Sequence, residues 1–162
     1  MYQASVPVFQ KMLKNLDGIL DKAAASAESR KFDPAVLLNA RLAPDMYPFT
    51  RQVQIATDHA KGGPARLAGL EPPKFEDNES SFGELKARVA RVQSYLATLT
   101  PAQIDGSEER KIVLKFGPRE FEFVGLPYLT QFALPNFYFH YTTAYAILRH
   151  NGVDVGKRDF VG

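Results

Sequence analysis

A chain of 162 residues, 45% apolar and 23% charged, has the composition of a globular protein, and its length predicts one domain over residues 1–162. Lys plus Arg number 20 against 18 Asp plus Glu, a formal charge of +2 that lacks the basic excess needed to neutralise nucleic-acid phosphates. The absence of Cys excludes disulfides, thiolate metal sites and a thiol nucleophile; any metal would need nitrogen or oxygen ligands, and the only imidazoles are His59, His140 and His150.

Near the start, Lys11, Lys14 and Asp17 interrupt the apolar run that a signal peptide needs, and no later segment offers about 18 uncharged apolar residues. The expectation is a cytoplasmic protein with neither membrane nor nucleic acid as partner. From Ser5 to about Ala27, Val6, Phe9, Leu13, Leu16, Leu20, Ala23 and Ala27 recur at spacings of three and four, one stripe along a helix capped by Ser5. Asp33-Pro34 marks a short helical start. Residues 49–61 predict a second long helix with Phe49, Val53, Ala56 and Ala60 on one face and Gln52, Ile55 and His59 on another.

The segment GGPARLAG is expected to break or bend that helix, because Gly62 and Gly63 are weak helix formers and Pro64 restricts its predecessor. It is not a phosphate loop: no Lys-Ser/Thr follows and no strand precedes it. Residues 71–80 read as a connecting loop. Then Phe82, Leu85, Val89, Val92, Leu96 and Leu99 form a third stripe, opened by the capping box Ser81–Glu84, with Glu84, Lys86, Arg88 and Arg91 expected on a solvated face. Thr100-Pro101-Ala102-Gln103 marks one further turn.

Alternation of Ile112, Leu114 and Phe116, then of Phe121 and Phe123, around Gly117-Pro118 predicts a small hairpin whose aromatic face lies on the helices. The last helix, 126–150, should end or kink at Pro135 and stop at Gly152. Its run Phe137–Tyr141 is apolar around the whole circumference, so it should be buried on all sides, in the bundle centre and against a second subunit. The fold class is therefore all-α, a four-helix bundle with a long connection from helix 2 to helix 3 and a small β-hairpin before the last helix.

His140 can be read as a metal ligand, with Asn136 one turn before it and His59 across the bundle, or as a core ring bonded to Tyr141, Tyr145 or a Thr. His150 reads as a charge at a helix C-terminus. Tyr128, Phe137, Tyr138, Phe139, Tyr141 and Tyr145 suit either a cavity lining or a core and dimer interface. Asp45 in RLAPDM and Asp58 beside His59 are the candidates for acid or base work and can equally be a turn or capping residue and a solvent-facing or ion-pair partner. No Ser stands in a nucleophile-elbow context.

The stretches LNARLAPDMYPFTRQVQIATDHAKGGPARLAG (38–69), NFYFHYTTAYAILRHNG (136–152) and GKRDF (156–160) resemble a bacterial domain-of-unknown-function family within the DinB-like superfamily of metal-dependent four-helix bundles. That resemblance covers nearly the whole chain. It implies a DinB-like bundle, often a homodimer, and does not imply DNA binding. The superfamily's metal site takes one His from the second helix and an H-x-x-x-H pair from the last, before a run ending near L-R-x-x-G. Counting back from Leu148-Arg149-His150-Asn151-Gly152, the pair falls on Asn136 and His140, and His59 matches the second-helix ligand. One imidazole of three is thus replaced by an amide. Some relatives resemble metal-dependent thiol transferases. The expected function is a dimeric bundle with a small-ligand cavity near His59, Asn136 and His140 and a degenerate metal site. One alternative is an enzyme with a divalent metal, zinc or nickel, on His59, His140 and Asn136; another is a non-catalytic interaction dimer.

Overall fold

The computed structural model describes residues 1–162, apart from the side chain of Phe116. In chain order the elements are α1 (Val6–Ser29), α2 (Ala35–Leu38), α3 (Phe49–Leu67), α4 (Phe82–Leu96), α5 (Pro101–Ile104), β1 (Lys111–Phe116), β2 (Arg119–Val124), α6 (Gly125–Pro127), a π-helical segment (Tyr128–Ala133), α7 (Leu134–His150) and α8 (Lys157–Val161). The architecture is a helical bundle of α1, α3, α4 and α7, with a long loop between α3 and α4 and an antiparallel hairpin before the last helix.

The stripes become the core. Every apolar position named on α1 is buried, as are Phe82, Leu85, Val89, Val92 and Leu96 on α4, and these two helices pack together. Against the other side, α3 lies along α7, with Phe9 of α1 meeting Phe137 of α7 edge-on at 5.0 Å. Ser5 holds the N-cap position of α1, but its buried hydroxyl donates back to the carbonyls of Met1 and Tyr2 instead of capping an amide. Ser81 does cap α4, accepting from the Glu84 amide at 3.2 Å.

Two local expectations are corrected by tertiary packing. GGPARLAG does not break α3, which runs on to Leu67 with Pro64 inside it. Pro disfavours helix in the preceding residue partly through contact with that residue's Cβ, and Gly63 has none. The bare backbone at Gly63 also lets neighbours close in: a Cβ there would stand 3.4 Å from both Ala133 Cβ and Phe9 Cε2. Pro135 neither ends nor sharply interrupts the last helix. Its ring cannot sit over the carbonyl four residues back in a regular helix, and the turns ahead of it widen into the π-helical segment, so that Pro135 falls in the first turn of α7. Within the single chain, the last helix leaves Phe139 58% exposed and His140 half-buried.

The hairpin pairs Ile112 with Phe123 and Leu114 with Phe121. Ile112 and Leu114 are buried, and Phe123 packs onto Tyr128 and Phe132 at 5.8 and 5.0 Å. Phe121, at 43% exposure, lies at the rim. No helix among the described residues is long and apolar enough to cross a membrane.

Candidate functional site

Because α3 and α7 lie side by side, the second face of α3 meets the polar turn of α7. His59 and His140 come together there with their rings nearly parallel, 10° apart, and centroids at 6.1 Å. Gln52, two turns before His59 on the same face, reaches His140 Nδ1 at 2.7 Å through its Oε1. The Gln52 amide nitrogen donates to the Tyr47 carbonyl at 3.1 Å, which settles which end of the amide faces the ring. Oε1 therefore accepts from Nδ1–H, and the neutral ring keeps its lone pair on Nε2. Gln52 is 1% exposed, so this orientation is held by the core.

Both imidazoles are held neutral near pH 7. Burial pushes His59 down to about 4, aided by the neighbouring His140, Arg66 and Lys61 and opposed by Asp58. His140 is also lowered, first by burial and then by the Arg51 charge. His59 makes no hydrogen bond among the described residues; its ring contacts are His140 and Phe132, the latter at 5.8 Å. Phe132 in turn lines a recess of about 410 Å³ with Pro118, Arg119, Phe121 and Phe123. The imidazole pair thus stands behind one wall of an aromatic recess under the hairpin.

Asn136 lies one turn before His140, but its Nδ2 donates to the Phe132 carbonyl at 2.8 Å. No group of three or more His, Cys, Asp or Glu among the described residues is arranged to hold a metal. Two imidazoles with an amide turned to its own helix do not fit a three-imidazole centre, and firmly held zinc wants three protein ligands. Asp45 is exposed in the turn before α3 and makes no ion pair among the described residues, and His150 is exposed in the last turn of α7. The ring partner of His140 is Gln52, on another helix, and not Tyr141, Tyr145 or a Thr.

Asp58 turns the other way, into a second polar centre. Arg88, expected on a solvated face, has a fully buried side chain. Its Nε donates to Thr57 Oγ1 at 2.7 Å, Nη2 to Asp58 at 2.7 Å, and Nη1 to Glu79 at 3.0 Å and to the Glu76 carbonyl at 3.1 Å. Asp77 lies 3.0 Å from Nη2 and also pairs with Arg51, and Asp58 is shared with Lys61. The loop between α3 and α4 is thereby tied down over both helices. Helical periodicity places Arg88 on the charged side of α4 and carries no sign of a loop folding over it.

Four long helices, a tied-down connection between α3 and α4 and a hairpin leading into the last helix, whose His140 faces His59 of α3, make up the bundle. The family described as Domain of unknown function (DUF1993) matches residues 1–161, and the chain belongs to that family. It is similar to the crystal structure of a DinB family member protein from Shewanella denitrificans, at 46% identity and a TM-score of 0.90, over 99% of this chain and 91% of that one. No curated protein matches the chain.

Proposed function

We propose that the chain binds a small, largely apolar ligand in the recess lined by Phe121, Phe123 and Phe132, with the His59–His140 pair behind Phe132 as its polar recognition element. The observation that carries this reading is the pair itself. Two half-buried imidazoles are kept neutral, and the lone pair left on His140 Nε2 by Gln52 has no partner among the described residues. Aromatic walls with a few oriented polar groups are the usual make-up of a small-molecule site. Neither imidazole lines the recess, so the recess would take the ligand's apolar body, and a ligand hydroxyl or amide would donate to His140 once the Phe132 ring turns aside.

A second reading, a divalent metal such as zinc or nickel on His59 and His140, is favoured by Gln52 alone, since a ligating imidazole usually donates its other N–H to an oriented oxygen. Asn136 Oδ1 would then have to serve as third ligand. A second copy of the chain would dock on the exposed Phe139 of α7, making a homodimer.

Titration with the neutral fluorophore N-phenyl-1-naphthylamine tests the first reading. One saturable site per chain is expected, weakened about tenfold or more in Phe132→Ser, where the aromatic wall is lost. A signal that never saturates sinks it. Elemental analysis after incubation with zinc or nickel addresses the second: near-stoichiometric metal, lost in the His59→Ala/His140→Ala double variant, would transfer the assignment to a metal site.

A further inference from the structure

Arg66, two turns beyond His59 on α3, has a half-buried guanidinium folded back over its own helix. The path is open only because residue 62 is glycine: a Cβ there would stand 2.5 Å from Arg66 Nη1, with no other atom outside the local helix backbone closer than that guanidinium. Nη1 donates to the Tyr128 hydroxyl at 3.1 Å, and that hydroxyl donates in turn to the Gly62 carbonyl at 3.4 Å. Arg110, exposed on the other side, lies over Gly69, where a Cβ would stand 2.4 Å from its Nη1 and where the backbone, at φ +74°, itself favours glycine. The two arginines line one cleft of about 540 Å³ between the end of α3 and strand β1.

On α3 and α4, Arg51, Lys61 and Arg88 are each matched to a carboxylate, whereas neither Arg66 nor Arg110 has an ion pair among the described residues. Glu71 lines the same cleft but pairs with neither. A basic residue in the last turn of a helix needs no glycine seat to favour the helix dipole. The seat fixes the position of a guanidinium, and a fixed fork of N–H donors recognises planar oxyanions.

We propose that the cleft between α3 and β1 is an oxyanion-binding site, in which Arg66 on Gly62 and Arg110 on Gly69 grip a small dianion carrying phosphate or paired carboxylates. The site is separate from the recess under the hairpin, and its ligand is recognised by charge instead of by aromatic contact.

Calorimetric titration with inorganic phosphate, and in parallel with succinate, at constant ionic strength tests the assignment and tells the two oxyanions apart. Saturable binding of at least one is expected. Gly62→Ala should weaken it about fivefold or more by displacing the guanidinium. Ala is the better helix former and meets only the end of a flexible side chain, so the melting temperature of Gly62→Ala should be unchanged or raised. Arg66→Gln should weaken binding to a similar degree, and Glu71→Gln, which removes the carboxylate lining the cleft, should tighten it. Failure of both anions to saturate the native chain would overturn the proposal, as would full-strength binding in Gly62→Ala and Arg66→Gln.

Discussion

Asp58 and His59 are adjacent in sequence, yet they serve two polar centres that the core treats in opposite ways. On the α4 side of α3, Arg88 is ion-paired with Asp58, Asp77 and Glu79, and each nitrogen of the guanidinium has a hydrogen-bond partner. On the α7 side, His59 and His140 are desolvated without carboxylate partners in hydrogen-bonding reach and stay neutral. Burial alone does not decide whether a group keeps its charge; the completeness of its partners does. A completed network fixes a loop. An incomplete one retains lone pairs for something outside the chain.

The sharpest way to break this contrast is Arg88→Ala. It strips a fully buried cation from three carboxylates, of which Glu79 is itself 6% exposed. A loss of about 3–5 kcal/mol is expected, because one partner of a buried pair is removed and the others stay. Urea denaturation at pH 7 measures it; a loss below about 1 kcal/mol would mean that the loop between α3 and α4 is held by other contacts, such as Phe75 beneath Arg91.

The neutral centre should reveal itself through pH. His59 takes up a proton less readily folded, at about 4, than at its ordinary 6.5. Between those values the unfolded chain holds more protons, so stability falls as pH falls. The interval corresponds to about 3 kcal/mol at most, complete below pH 4. Aspartates and glutamates titrate in the same range, so the readout is the difference between native and His59→Leu. The variant should lose less stability on going from pH 7 to pH 4, and parallel curves would show that His59 is solvated and charges freely.

What was legible in the sequence follows the reach of each signal. The stripes of α1 and α4 depend on residues three and four apart, and each apolar position on them is buried as expected. His59 and Gln52 share a face by the same rule, so half of the imidazole centre could be placed before its partner on α7 was known. Arg88 could not, because its burial comes from residues 76–79, which fold back over α3 and α4 through contacts that no local period encodes. The π-helical segment was hidden for a related reason: Pro135 signals a conflict, and the surrounding packing chooses how it is relieved.

The smallest effect separates two glycines that look alike in the sequence. Gly62 and Gly63 both read as helix breakers, yet one faces a flexible guanidinium and the other a packed interface. Gly63→Ala would bring a methyl to 3.4 Å from Ala133 Cβ and Phe9 Cε2 and would restore the Cβ that crowds Pro64. Neither neighbour can swing away, since Ala133 and Phe9 are both fully buried. The gain in helix propensity, about 1 kcal/mol, is therefore offset, and a net loss of about 1–2 kcal/mol is expected in thermal or urea unfolding. Should Gly63→Ala prove as stable as Gly62→Ala, α3 would have room to move away from α1 and the π-helical segment. The close approach would then be a consequence of the glycine and not a requirement of the fold.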